Sequence, residues 1–266
     1  MKTYKWLSFV VGTLFVFTTL NPQENLTAKQ IVDRSFKATK LAGSETLSTM
    51  TIVDSKRRER IRKIALVTRL YDNGKTEKRL LRFLSPADVR GTGLLTFDYE
   101  EKDDDMWLFM PALRKTRRII STEKAKNFMG SEFTYADMTP PILDDFTYET
   151  LGEEEVAGTP CWKIEMIPVD EDVADENGFS KRISYIGKQD FVIRKAIYYD
   201  LDGELHKELT VEDIKEVDAA NHKYRPIHMV MVNKQNGRKS ILQVDEIQFN
   251  PDVNDDFFTT RYLERY

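Results

Sequence analysis

From residue 45 to residue 249 apolar side chains recur at every second position, in one segment after another, with turn residues between them. That period puts alternate side chains on opposite faces of a β-strand. The segments fall at 45–54, 58–71, 76–84, 92–98, 105–110, 115–120, 146–155, 160–168, 180–187, 191–200, 204–217, 223–234 and 238–249. Several connectors are hairpin-sized: DNGK at 72–75, GKQD at 187–190, DLDG at 200–203 and KQNG at 234–237. Asn73-Gly74 and Asn236-Gly237 are the strongest turn signals among them. Short connectors join antiparallel neighbours, so the predicted sheet is a meander. A sheet of this many long strands twists and curls. The predicted class is therefore mainly β: a curved, incompletely closed antiparallel barrel, with helices packed in its concave side.

The strands differ in what they need from their surroundings. In LLRFL, Leu80, Arg82 and Leu84 share one face, and Leu81 and Phe83 the other. In IHMVMV (227–232) both faces are apolar, so that strand needs cover on both sides. LTAKQIVDRSFKATKLA (26–42) supplies an N-terminal helix: Thr27 caps it, and Ile31, Val32, Phe36, Ala38 and Leu41 recur near helical spacing. The tail NDDFFTTRYLERY predicts a short helix capped by Asn254 or Asp255. The acidic stretch DEDVADENG (170–178) reads as a solvated, mobile loop, and 121–145 is the one long irregular connector. No Pro/Gly/Ser linker or repeat divides the chain.

The first residues stand apart. Lys2 and Lys5 precede an apolar run from Trp6 to Leu20, the shape of a secretory leader. The expected assignment is a signal peptide over 1–23, cut somewhere in Thr18 to Glu24, with 24–266 as the mature domain in the periplasm. An uncleaved anchor is the alternative, although the run is shorter than the roughly 18–20 residues that span a bilayer. No Cys follows it, which excludes a lipid attached through an N-terminal Cys. The whole chain carries 40 Lys plus Arg against 44 Asp plus Glu, net −4; without Lys2 and Lys5 the balance is 38 against 44, net −6. Phosphate backbones want a basic face, so nucleic acid is not an expected partner. The single Cys161, beside Trp162, reads as a small buried hydrophobe.

Catalytic signatures do not emerge. His206, His222 and His228 lack zinc-ligand spacing, and there is no G-x-S-x-G, no Gly-rich phosphate loop and no H-E-x-x-H. The acidic run Glu100, Glu101, Asp103, Asp104 and Asp105 lacks the alternation of a calcium loop and reads as a solvated turn. No cofactor or metal is expected. Carboxylates are plentiful, so an acid pair facing across a cleft, about 5–10 Å apart, stays open as an enzymatic alternative. The basic clusters KRRERIRK (56–63) and RKTRR (114–118) suit either exposed strand faces or anionic head groups.

The segment DDDMWLFMPALRKTRRIISTEKAKNFMGSEFTYADM (103–138) is the most unusual. MWLFM is a strand with Met106, Leu108 and Met110 on one face and Trp107 and Phe109 on the other; Pro111 ends it and PALR turns the chain. Thr122 to Phe128 suits a helical turn and Gly130 a sharp bend. Phe128, Met129, Phe133, Tyr135 and Met138 then hang from an irregular loop. Soft Met and broad aromatic side chains suit a surface that accepts varied apolar ligands. A lid over a curved sheet and a plug in its end fit these residues equally.

WLFMPALRKTRRI followed by NFMGSEFTYADM resembles the outer-membrane lipoprotein-sorting family, the periplasmic lipoprotein carriers and their relatives, and most nearly a branch associated with exporters of the resistance-nodulation-division type. The residues that carry the resemblance are Trp107, Phe109, Pro111, Ala112, Arg114, Arg117, Phe128, Gly130, Ser131, Phe133, Tyr135 and Asp137. It implies an incomplete barrel of about eleven strands with a helical lid and an apolar cavity for acyl chains. The expected function is that of a non-enzymatic, monomeric carrier of lipoprotein or lipid acyl chains, working toward the outer membrane with an exporter or an outer-membrane acceptor. The acyl-contact candidates are Trp107, Phe109, Met110, Leu113, Phe128, Met129, Phe133, Tyr135 and Met138. Arg114, Arg117 and Arg118 are the candidates for a head group or a partner. A sensing or adaptor module that binds a partner protein is the alternative.

Overall fold

The computed structural model describes residues 26–265, and the predicted leader at 1–23 lies outside them. Each segment read as a strand is one, within two residues at either end. The strands are β1 Gly43–Val53, β2 Glu59–Tyr71, β3 Thr76–Ser85, β4 Gly93–Tyr99, β5 Asp105–Met110, β6 Lys115–Ile119 and β7 Phe146–Val156. They continue as β8 Thr159–Pro168, β9 Lys181–Gly187, β10 Ile193–Tyr199, β11 Leu205–Asp218, β12 Lys223–Asn233 and β13 Lys239–Phe249. All lie in one antiparallel sheet ordered β6-β5-β4-β3-β2-β1-β13-β12-β11-β10-β9-β8-β7. The strand number implied by the family resemblance, about eleven, is thus corrected to thirteen. Each turn in the sequence separates two strands, and counting turns counts them correctly.

Sequential hairpins make every pairing but one. The exception joins β1 to β13 in the middle of the sheet, which leaves β6 and β7 as its two edges. The sheet is curled but not closed. Glu77 on β3 and Arg225 on β12 approach to 3.7 Å, yet these strands lie four spacings apart, about 19 Å in a flat sheet. Bulges help the bend: register shifts interrupt β1 with β13 at Leu47/Ser48, and β11 with β12 between Val211 and Asp218. Pro226 sits where β12 has a partner on one side only, since its pairing with β13 begins at His228. A missing N–H costs no ladder bond there.

The N-terminal helix α1 spans Ala28–Thr39. Thr27 caps it reciprocally with Gln30: the Gln30 N–H donates to Thr27 Oγ1 at 3.2 Å and the Thr27 N–H to Gln30 Oε1 at 2.9 Å. It stops short of the predicted residue 42 because the chain must extend to enter β1, where the Ala42 carbonyl already accepts from Leu70. Three short helices follow: α2 Ser121–Lys124, α3 Glu171–Asn177 and α4 Thr260–Leu263. The stretch expected to be a mobile loop at 170–178 is α3. Asp170 accepts from the Val173 N–H at 2.9 Å as its N-cap, and Gly178, at φ 72°, ends it in the left-handed conformation. It packs on α2, and Lys124 Nζ meets Glu176 Oε1 at 2.5 Å.

Strand alternation sorts the core onto two faces. The inner one joins Met50, Ile52, Ile64, Phe83, Leu94, Met106, Leu108, Met166 and Met231 to Phe128, Phe133 and Tyr135 from the 120–145 connector. The outer one joins Leu80, Leu95 and Phe109 to Val253, Phe258 and Leu263 from the C-terminal segment. Helix α1 lies on the inner side over β7, β9 and β12, with Ile31 and Val32 against Ile164 and Ile186.

Candidate functional site

The connector 120–145 leaves β6 at one edge of the sheet and enters β7 at the other. Because the sheet curls, the direct route between its edges crosses the inner face. The connector is therefore a strap, and the sheet fastens it. A bridge between Asn127 and Thr134 closes a tight loop in which Met129 (φ 50°) and Gly130 (φ 75°) both take left-handed backbone. Arg62 Nη1 donates to the Met129 carbonyl at 2.5 Å and Arg238 Nη2 to the Gly130 carbonyl at 2.9 Å. The buried Glu132 side chain enters a polar clasp: Asn233 Nδ2 donates to Oε2 at 3.0 Å, and Arg238 Nε lies 2.9 Å from Oε1. Its N–H donates to Ser240 Oγ at 2.8 Å. Further on, Arg79 Nη1 donates to the Met138 carbonyl. Phe128, fully buried, packs on Phe83 and Tyr135 with ring centroids 5.7 and 5.4 Å apart.

Between strap, α1 and sheet lies a cavity of about 390 Å³. Its floor is aliphatic and soft, with Met50, Leu66, Leu209, Met229, Met231 and Leu242 from the central strands. Phe36 of α1 and Phe128, Phe133 and Met138 of the strap form its roof. The strap is thus both plug and roof: its first half fills the inner face around Phe83, and its second half borders open space.

Polar side chains also enter the wall, Ser48, Asn177, Tyr198 and Arg79 among them. Glu77, fully buried, pairs with Arg79 Nη2 at 2.5 Å. Burial pushes its carboxyl up, but Arg79 and Arg225 together pull it below the usual carboxylate range. Asp98 lies behind Arg79, 3.9 Å from Nη2 and 3.5 Å from Lys40 Nζ. Burial outweighs both cations there and lifts its pKa to about 6. Burial also pushes the Tyr198 hydroxyl at the cavity wall up to about 12.

The predicted acyl-contact residues divide. Phe128, Phe133 and Met138 line the cavity. Met110, Met129 and Tyr135 pack into the inner core beside it. Trp107 and Phe109 face away, in the outer cluster, with Trp107 edge-on to Phe97 at 5.1 Å. The alternation that separates them from Met106 and Leu108 sends them to that face. Leu113, 64% exposed, sits at the tip of the β5–β6 hairpin. Of the predicted head-group cations, Arg117 pairs with Glu123 at 2.6 Å and Arg118 with Asp105. Arg114 takes the left-handed hairpin position at φ 46°. None of the three lines the cavity. The guanidiniums that do are Arg79, Arg182 and Arg225, which the sequence reading did not single out. A signal existed: Arg79 shares its strand face with Leu81 and Phe83, and Arg225 shares one with Met229 and Met231.

Comparison with known proteins agrees with this architecture. A family model described as that of an uncharacterized protein matches residues 75–265, well over half of the chain. No curated protein matches. Among solved structures, a domain from Vibrio parahaemolyticus assigned to outer membrane lipoprotein sorting superposes with a TM-score of 0.81 at 27% identity, covering 90% of this chain and 98% of that one. A DUF1329 family protein from Desulfovibrio piger gives 0.81 at 24% identity over 89% and 97%. A LolA superfamily protein from Nitrosomonas europaea gives 0.68 at 18% identity over 89% and 99%. These last two share the fold. The chain belongs to the matched family, and in fold it is similar to a domain assigned to outer membrane lipoprotein sorting.

Proposed function

We propose that the protein is a carrier for the acyl chains of lipids or lipoproteins, exported to the periplasm by its N-terminal leader and working without covalent chemistry. The observation that carries this reading is the apolar cavity of about 390 Å³ under the strap. Pockets of this size that bury most of a ligand lie in the ordinary range for small-molecule sites. Phe128, Phe133 and Met138 would contact the chain from above and the methionines of β1 and β12 from below. Burying a CH₂ is worth about 0.8 kcal/mol, so a dozen carbons gain on the order of 10 kcal/mol before the losses on binding are subtracted. A carrier must also release its load, and a roof held by a few polar contacts suits that better than a closed core does.

A partner is proposed to meet the β5–β6 hairpin, where Leu113 and Arg114 stand exposed at the tip. An exporter of the resistance-nodulation-division type or an outer-membrane acceptor fits this role, with the carrier acting as a monomer. The same tip is the observation that favours the second reading, an adaptor that binds a partner protein and carries no lipid. Solvent extraction of protein purified from the periplasm, followed by mass spectrometry, separates the two. A stoichiometric amphiphile is expected. An extract without lipid, from protein that also fails to take up a fluorescent fatty acid, would leave only the adaptor.

A further inference from the structure

The wall of the cavity reverses the charge balance of the chain. The protein is net −4, with 40 basic and 44 acidic residues. Yet the charged side chains lining the cavity are Arg79, Arg182 and Arg225 against the single Asp137. Asp137 is already engaged within the strap, its Oδ2 accepting from the N–H and the hydroxyl of Thr134 at 2.7 and 2.9 Å. Arg79 is matched by Glu77 at 2.5 Å. Arg225 is not matched in the same way. Glu77 lies 3.7 Å from its Nη2, beyond hydrogen-bond reach, and belongs more closely to Arg79. Among the described residues neither Nε nor Nη2 of Arg225 meets a hydrogen-bond acceptor. Arg182 rests on the rings of Phe179 and Tyr198, at 6.0 and 5.9 Å, and its Nε is likewise without an acceptor. A guanidinium cannot shed its charge, and one held in an apolar wall is stabilised by an anion.

Size narrows the choice further. A cavity of about 150 Å³ lined by aliphatic side chains accepts benzene. By that scale 390 Å³ holds about fifteen non-hydrogen atoms. One medium hydrocarbon chain with a compact head fits, and three acyl chains together do not.

Resting on the carrier reading above, we propose that the cavity selects a single-chain amphiphile ending in an acid, carboxylate or phosphate monoester. Its head would sit against the Arg225 guanidinium and its chain along the methionines of β12 and β1. Calorimetric titration of the delipidated full chain with dodecanoate, dodecyl phosphate and 1-dodecanol tests this, because the three differ only in the head. Both acids, or either one, are expected to bind at least about tenfold tighter than the alcohol, the worth of a charge-assisted hydrogen bond. Which acid leads tells a fatty acid from a phosphorylated lipid. Arg225→Gln should cut the acid-to-alcohol ratio about tenfold. Should that change unfold the chain, Arg225→Met, unbranched and apolar like Met229 and Met231 on the same face, removes the charge while leaving Glu77 with Arg79 and should give the same loss of ratio. Equal affinity for all three probes in the wild type overturns the head-group assignment and leaves the carrier intact, as does an undiminished ratio in the folded variant. Failure to bind any probe overturns both.

Discussion

Two of the segments outside the strands cover opposite faces of this sheet, and they differ in the room they leave beneath them. On the outer face the C-terminal segment buries Val253, Phe258 and Leu263 against Leu80, Leu95 and Phe109, while Arg69 donates to the Val253 carbonyl and Arg82 to those of Tyr262 and Leu263. Leu263 is packed so closely that a Cβ added at Gly93 would come within 2.6 Å of it. On the inner face the strap sinks one half, around Phe128, into the core. It is otherwise tied down by guanidiniums on its carbonyls and by the Glu132 clasp, and a cavity remains beneath it. Guanidiniums tie down both covers, so the difference lies in the packing: apolar side chains fill the space between the C-terminal segment and the sheet, and under the second half of the strap they leave a cavity. The outer cover is built for stability and the inner one for stability and room together.

Aromatic truncation puts the largest strain on that contrast. Phe128→Ala and Phe258→Ala each remove a buried ring and should each cost about 3–5 kcal/mol in urea unfolding. They should part in the binding assay. Enlarging the cavity at Phe128 should change affinity for a fluorescent fatty acid, while the loss at Phe258 should leave it as it was. Equal effects on binding would mean that the two covers are not functionally distinct. A harsher version, Phe128→Glu with Phe133→Glu, should abolish uptake.

Acid titration is the next lever, because buried charge lies on the inner side. Asp98 has its pKa lifted from 3.8 to about 6, by burial first and then by Asp104 and Glu77, against the pull of Arg79 and Lys40. Below pH 4 it is protonated in both folded and unfolded chains. As the pH rises from about 4 to 6 the unfolded chain loses this proton while the folded one keeps it, so the contribution of Asp98 falls, by up to roughly 3 kcal/mol at neutral pH. Asp98→Asn cannot titrate. Its stability relative to wild type should climb across that window, from near zero at pH 4 to a gain at pH 7. A difference that stays flat with pH would show that Asp98 is not held protonated.

How much of this was readable beforehand differs between the two covers. The strands, the cap at Thr27 and the opposed faces of MWLFM follow from local periodicity, which reports on residues a few positions apart. That same alternation told that Trp107 and Phe109 point away from Met106 and Leu108, but not which side would hold the cavity. That depends on where the strap crosses, a long-range fact set by β1 pairing with β13. The strap hid for the same reason. Glu132, Arg62 and Arg238 read as ordinary surface charges, and only the curl brings them together. Arg79, Arg182 and Arg225 occupy inward positions, which a face-by-face reading of KRLLRFL, KRISYIG and KYRPIHM could have flagged. Helix α3 was missed because its acidic residues look solvated, although Asp170 and Gly178 are a cap at each end.

Glu132→Gln sharpens the comparison from the strap side. Gln keeps the hydrogen bond with Asn233 but gives up the charge facing Arg238, a loss of roughly 2 kcal/mol for a buried charge-assisted contact. The strap should loosen before the sheet does. Limited proteolysis should therefore cut within 121–145 sooner than in wild type, with the C-terminal segment still protected. First cuts near 250–265 would reverse the assignment of which cover is the looser.

The smallest change in stability is expected at the exposed ends of β6. Leu113 and Ile120, 64% and 55% exposed, flank the short edge strand β6 and contact little that unfolding would disrupt. Leu113→Ser with Ile120→Ser should shift stability by less than about 0.5 kcal/mol and leave fatty-acid affinity unchanged, since both lie outside the cavity wall. Their use, if the hairpin docks on an acceptor, is in delivery. Leu113, kept in water at the hairpin tip beside Arg114, and Ile120, exposed at the other end of β6, give this edge the composition of a contact surface. The rate at which loaded protein surrenders a fluorescent fatty acid to anionic vesicles should then fall in the double variant, while release into buffer stays the same. Were both rates unaltered, the exposed tip would have no part in transfer, and the route out of the cavity would have to be sought along the strap itself.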